Sequence, residues 1–349
     1  MEPYYSHPGL FSDNFFNMSD NLSFVSIIIP CRNEKDFILR CLESLTKQDY
    51  PKDSLEVLVV DGSSEDGTKE IVAEFIKKNQ FIRLLENPKR YTPIGMNIGI
   101  KEAKGEVIIR MDAHARYEKD YVSQCLKYLN KCKADNVGGA IKTLPSKDTI
   151  WAKAIAIVLS HPFGAGNSFF RIGSKNPRWV DTVFGGCYRK EIFKKIGLFN
   201  ERLIRSQDIE LNQRIRKSGG KILLAPDIKS CYYSQSEFYG FLKHNFEDGL
   251  WTIYPMKFGV KIFSWRHLIP LAFVLTIIIL AEFSSFSKIF FFLFLVVIIL
   301  YLSVSILVSI FLATKEKNPA LLMVLPVIFA NRHFGYGFGS FWGLIRTIL

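Results

Sequence analysis

Four short polar groups in this chain carry residue types that do chemistry. Asp112-Ala113-His114 places a carboxylate and an imidazole two positions apart at what reads as a strand end. Alternation there lets both face one site, where a neutral imidazole can ligate a cation; a hydrogen-bonded histidine with no ligand is the plainer alternative. Asp61 follows an apolar run and precedes Gly62-Ser63-Ser64. Its carboxylate can accept the imino proton of a uracil ring, although Asp-Gly is also a turn signal. Pro30 closes another apolar run, followed by Arg32-Asn33-Glu34. Gln207-Asp208-Ile209-Glu210-Leu211 opens a helix that continues through Arg214. Glu210 and Arg214 lie one turn apart and account for each other as an ion pair, which leaves Asp208 free to accept a proton. Gly185 and Gly186, after Phe184, let the backbone approach a ligand closely or make a tight turn.

The elements that must position these groups are legible as an alternation. Val25–Ile29 is a short β-branched run that stops at Pro30, and Leu55–Val60 is a second. Residues 36–47 carry Phe37, Ile38, Cys41, Leu42 and Leu45 in a helical stripe, and residues 68–78 carry Ile71, Val72, Phe75 and Ile76. A strand over 81–85 follows, then a helix opening at Thr92-Pro93, then a strand over 106–111. Residues 179–183 are strand-like. This alternation predicts an α/β fold with a mostly parallel, Rossmann-like sheet covered by helices on both faces. In such sheets the ligand crevice lies beyond the carboxyl ends of the strands, where the first three polar groups converge.

The 349 residues suit one catalytic domain plus an appended segment, and the six cysteines form no C-x-x-C pair and no paired zinc or disulfide spacing. They read as reduced core thiols. The net charge of +12 contains no block of five like charges and no basic helical stripe, which argues against nucleic acid and for a membrane surface or diphosphate substrates. Residues 1–23 lack Lys and Arg and are expected as a loosely ordered tail rather than a signal peptide. The catalytic domain is expected over 24–256.

Beyond it the composition shifts. Residues 257–267 interleave Phe258, Ile262, Phe263 and Trp265 with Lys257, Lys261 and Arg266, as an interfacial stretch does. Residues 267–283 and 289–313 are long and apolar enough to span a membrane, and Lys315 and Lys317 follow the second. Residues 320–349, with a short apolar run and then a Gly- and aromatic-rich one, are expected as a third, interrupted span or a re-entrant segment. The positive-inside tendency sets the catalytic domain on the cytoplasmic side of a multi-pass cell-membrane protein.

Taken together, Ser26-Ile-Ile-Ile-Pro-Cys-Arg-Asn-Glu34, Val59-Val-Asp-Gly-Ser-Ser-Glu-Asp-Gly-Thr68, Asp112-Ala-His114 and Gln207-Asp208-Ile-Glu210 resemble the family 2 glycosyltransferases of GT-A fold, over roughly 24–226. Asp112-Ala-His114 and the terminal His333-Phe-Gly-Tyr-Gly-Phe-Gly resemble the bacterial succinoglycan-type exopolysaccharide glucosyltransferases. The resemblance implies nucleotide-sugar contacts at Pro30, Arg32, Glu34, Asp61, Ser63 and Asp112. It also implies a divalent metal, Mn2+ or Mg2+, at Asp112 and His114, where the family carries Asp-x-Asp. Asp208 is implied as general base, and the acceptor as near Gly185, Gly186, Gln207 and Trp251. Where processive relatives carry Gln-x-x-Arg-Trp, this chain has Leu250 before Trp251, which favours one transfer per encounter.

The expected activity is inverting transfer of a hexose from a UDP-linked donor to a polyprenyl-linked saccharide, with membrane lipid as a further partner. The alternatives are a polyprenyl-phosphate sugar synthase and, because His114 replaces an acid, a non-catalytic nucleotide-sugar-binding membrane scaffold.

Overall fold

The computed structural model describes residues 22–263 and 265–349, so the expected N-terminal tail lies, up to residue 21, outside the described residues. In chain order come β1 (Val25–Cys31), α1 (Ile38–Thr46), β2 (Leu55–Asp61), α2 (Thr68–Ile76), β3 (Ile82–Glu86), α3 (Thr92–Glu102) and β4 (Val107–Arg110). Next are β5 (Ala115–Tyr117), α4 (Tyr121–Lys131), β6 (Asn136–Pro145), α5 (Ile150–Ser160), α6 (Pro162–Ala165), α7 (Phe169–Ile172), β7 (Arg178–Trp179) and β8 (Cys187–Arg189). The chain ends with α8 (Glu191–Ile196), α9 (Gln207–Lys217), β9 (Ile222–Ser234), α10 (Phe238–Ile253), α11 (Ile269–Phe283), α12 (Lys288–Lys315) and α13 (Leu321–Ile348).

The sheet runs β3-β2-β1-β4-β8-β6-β9-β5, with β7 paired to β9. Its first four strands are parallel, and β4 pairs β8 antiparallel, as do β6 with β8, β5 with β9 and β7 with β9. The sheet is therefore mixed rather than mostly parallel. Helical crossovers enforce parallel pairing through β4, whereas no periodicity in the later segments reports strand direction. Of the strand expected over 179–183, only Trp179 joins a ladder. β1 and β2 are buried almost throughout, as runs covered on both faces must be. Glu56, a buried carboxylate near the start of β2, accepts hydrogen bonds from Ser26 Oγ and the Lys104 N–H, both at 2.6 Å. The predicted stripe of α1 faces inward through Ile38, Cys41, Leu42 and Leu45. All six cysteines are free thiols and five are buried.

The chain divides into two compact units: residues up to Lys142 with Gly173–Tyr232, and Thr143–Ile172 with Tyr233–Leu349. This differs from a cut at 256/257. Within the second unit, Ala154, Ile155, Val158 and Leu159 of α5 share a buried cluster with Leu325, Ile328 and Phe329 of α13 and with Phe241 of α10. A helix from mid-sequence thus belongs with the C-terminal helices.

Two helices, Trp265–Phe283 and Lys288–Lys315, are long and apolar enough to cross a membrane. Their side chains are mostly exposed, among them Phe292, Ile299, Leu300 and Leu307 at 60% or more, which is the surface a lipid contact requires. Of the interfacial stretch, Trp265 and Phe258 are exposed but Ile262 is buried. Residues 321–348 form one unbroken helix despite the internal Pro326, rather than an interrupted one. The Gly-rich run is its packing face. Cβ atoms at Gly335, Gly339 and Gly343, four residues apart, would press on Leu242, Phe246 and Leu250 of α10, and one at Gly249 on Tyr336. The glycines let two helix backbones approach closely.

Candidate active site

The carboxyl ends of β1, β2 and β4 lie side by side, since Cys31 pairs with Asp61 and Ile28 with Arg110. Beyond them opens a cleft of about 170 Å³ lined by Pro30, Arg32, Glu34, Arg110, Asp112 and His114, together with Asn87, Arg90 and Thr92. Five sequence-predicted residues therefore meet in one cavity: Pro30, Arg32, Glu34, Asp112 and His114.

Two charge pairs organise it. Arg110 donates from Nε and Nη2 to Asp112 Oδ1 at 3.2 and 3.1 Å. Residues two apart share a side at the strand end, so the pairing follows from the β geometry itself. Burial would raise the Asp112 pKa, but the charges of Arg110 and His114 hold it below the usual carboxylate range. The Asp112 N–H donates to the Tyr117 hydroxyl at 2.7 Å, which fixes the turn. His114 Nδ1 lies 2.8 Å from Glu34 Oε1, and its ring meets Tyr232 edge-on at 5.1 Å. Burial lowers the imidazole pKa, but the hydrogen bond and charge of Glu34, with Asp112 behind them, raise it above the ordinary value.

Among the described residues, no three His, Cys, Asp or Glu side chains gather to hold a metal unaided. The donor set nevertheless fits a cation that a ligand helps to bind. Asp112 Oδ2 and His114 Nε2 have no hydrogen-bond partner among the described residues, and a carboxylate on the far ring nitrogen is how ligating imidazoles are oriented.

The loops around the cleft are zipped together. Asn33, in the left-handed region at φ 56°, donates its N–H to Ser64 Oγ, Glu34 N–H donates to Thr68 Oγ1, and Lys35 N–H to Asp66. Asp61 is buried, and both its oxygens accept from Ser64, so it organises this loop; Ser63 sits beside it at φ 56°. Neither Asp61 nor Ser63 lines the cleft.

Gly185 and Gly186 take φ values of 67° and 120°, and a Cβ on Gly185 would lie 2.8 Å from the Arg110 carbonyl oxygen. Gly186 accepts the Arg110 N–H at 2.9 Å. The glycine pair therefore seats its loop against the end of β4. Asp208 opens α9 after Ser206, which is left-handed at φ 59°, and its Oδ1 accepts the Ile209 N–H at 2.9 Å. Its charge reaches Arg110 and Tyr188. Glu210 is fully committed to Arg214, with contacts of 2.7 and 2.8 Å, and Arg214 in turn caps the carbonyls of Ile196, Gly197 and Leu198. Gln207 is buried, and its Oε1 has no hydrogen-bond partner among the described residues. Trp251 stands on α10 in the second unit, its ring 5.6 Å from Tyr254.

Sequence reasoning missed Arg110, Asn87, Arg90 and Thr92. Arg110 had a signal: it is the one charge inside the apolar run Val107-Ile-Ile-Arg-Met111.

Comparison with known proteins agrees with this geometry. The family model described as "Glycosyl transferase family 2" matches residues 26–197. The chain is 31% identical to the dolichyl N-acetyl-alpha-D-glucosaminyl phosphate 3-beta-D-2,3-diacetamido-2,3-dideoxy-beta-D-glucuronosyltransferase of Methanococcus voltae, over 93% of this chain and 98% of that protein. It is 30% identical to the succinoglycan biosynthesis protein ExoA of Rhizobium meliloti (strain 1021), over 72% of this chain and 83% of that one. The mannosyltransferase PcManGT of Pyrobaculum calidifontis, solved with GDP-Man and Mn2+, has a similar fold with a TM-score of 0.61 at 18% identity, over 98% of this chain and 91% of that one. With a full-length relative above 30% identity and the GT-A sheet in place, the chain belongs to glycosyl transferase family 2 and is a glycosyltransferase.

Proposed function

We propose that this glycosyltransferase moves a hexose, with inversion, from a UDP-linked donor to a lipid-linked saccharide, working at the cytoplasmic face of the cell membrane to which α11 and α12 anchor it. The observation that carries the reading is the strand-end cleft, where Pro30, Arg32, Glu34, Asp112 and His114 converge while Asp208, unlike Glu210, has no ion-pair partner among the described residues. The acceptor hydroxyl oxygen attacks the anomeric carbon, the bond from that carbon to the diphosphate oxygen breaks, and Asp208 takes the hydroxyl proton. No covalent enzyme intermediate is needed. Asp112 and His114 would hold a divalent cation, Mn2+ or Mg2+, which when bound neutralises charge on the departing diphosphate. Glu34 orients the imidazole, and the loop ordered by Asp61 and Ser63 shapes the nucleotide end of the cleft.

The lipid-linked acceptor is supported by the Methanococcus voltae relative, whose name specifies a dolichyl-linked acceptor sugar, and by the exposed apolar helices. The test is transfer by purified membranes from a panel of UDP-sugars to polyprenyl-linked mono- and oligosaccharides, read by product mass. A product enlarged by one hexose on the acceptor sugar is expected. A product in which the sugar sits on polyprenyl phosphate would instead make the protein a polyprenyl-phosphate sugar synthase, and donor binding without any product would make it a scaffold.

A further inference from the structure

We infer that Arg110 is a donor-binding residue, whose unpartnered Nη1 receives an anionic oxygen of the nucleotide-sugar. This rests on the donor reading above. Arg110 is 8% exposed and lines the cleft, and Nε and Nη2 are spent on Asp112 Oδ1. Nη1 is buried and has no hydrogen-bond partner among the described residues. A buried guanidinium N–H left unsatisfied is costly, and native structures keep such groups where a ligand completes them. An incoming anion there meets a fixed cation in a partly dry cavity, where a charge-assisted hydrogen bond is strong.

A purely structural role, holding Asp112, leaves Nη1 unexplained, because the two contacts to Oδ1 already perform it. The anionic oxygen has two sources in a nucleotide-sugar: the diphosphate of any donor, or the carboxylate of a uronic acid donor.

The test is calorimetric binding of uridine, UDP, UDP-glucose and UDP-glucuronic acid to the full-length protein in detergent with EDTA, comparing wild type with Arg110→Gln and Arg110→Lys. If the diphosphate is the partner, Arg110→Gln weakens UDP and both UDP-sugars about tenfold to a hundredfold and leaves uridine unchanged. Arg110→Lys then recovers part of the loss. If the carboxylate is the partner, only UDP-glucuronic acid weakens. Unchanged affinity for all four ligands in either folded variant overturns the inference. Wild-type protein that binds none of the uridine ligands, either in EDTA or with Mn2+ supplied instead, overturns the donor reading itself, a distinct result; where binding needs the cation, the variants are compared in Mn2+. Uridine binding and the melting temperature report folding, and Arg110→Lys carries the test should Arg110→Gln not fold.

Discussion

Glu34 Oε1 and His114 Nδ1 meet at 2.8 Å, joining the loop after β1 to the loop after β4 within the lining of the cleft. A carboxylate there fixes the ring and sets which nitrogen is offered to a cation. Replacing Glu34 by Gln keeps a hydrogen bond but removes the charge. The manganese concentration for half-maximal transfer should rise about tenfold to a hundredfold, the usual scale for losing a group that orients a ligating imidazole. Electron paramagnetic resonance of Mn2+ with UDP present would measure the same loss directly. An unaltered manganese requirement would remove His114 from the metal's ligands.

The identity of the ligand at position 114 should also set metal preference. His114→Asp substitutes a hard oxygen donor, so activity should persist with the balance shifted from Mn2+ towards Mg2+. Rates measured with each cation in parallel check this, and an unmoved ratio counts against ligation.

Asp208 and Glu210 make opposite predictions because their surroundings differ. Asp208→Asn should cut turnover about a hundredfold or more with UDP affinity nearly unchanged, since only proton acceptance is lost. Glu210→Gln breaks the bidentate pair with Arg214, which holds the α8–α9 connection through the carbonyls of residues 196–198. It should lower the melting temperature more than the turnover of the folded enzyme. If Asp208→Asn instead loses UDP affinity while turnover at saturation persists, the base lies elsewhere.

The contact of α10 with α13 should be intolerant of any added carbon. A Cβ at Gly339 would collide with the Phe246 carbonyl oxygen, so Gly339→Ala should cost about 1–3 kcal/mol through forced separation of the helices. Thermal unfolding in detergent measures it, with Phe338→Ala as the comparison, because Phe338 is exposed on the same helix. Equal melting temperatures for the two variants would refute close packing at this seam.

Orientation in the membrane is open to labelling. Ser285 lies in the link between α11 and α12, and Glu316 just after α12. With a cytoplasmic catalytic domain, an impermeant thiol reagent added to intact cells should label Ser285→Cys and spare Glu316→Cys. The reverse pattern would invert the assignment.

The chain's local patterns carried the parallel half of the fold and five of the residues that line the cleft. Val25–Ile29 and Leu55–Val60 are apolar runs rich in β-branched residues, so the two strands are legible from local sequence, although β1 runs on through Pro30 to Cys31 and β2 to Asp61 rather than stopping before them. The i to i+4 spacing of Glu210 and Arg214 likewise announced their pairing and left Asp208 conspicuous. What the tertiary structure decided is partnership at a distance. Asp61 turns its oxygens to Ser64 rather than to the cleft, and Glu34 reaches His114, a partner 80 residues away. Arg110, conspicuous in sequence only as a charge within an apolar run, becomes a cleft residue with a buried N–H that has no partner among the described residues. The antiparallel half of the sheet escaped because strand direction depends on pairing between distant segments, which alternation does not encode. The glycines of α13 escaped for a related reason. Glycine lowers helix propensity and reads locally as a break, yet against the facing backbone of α10 the missing Cβ is what allows contact, and packing overrides propensity.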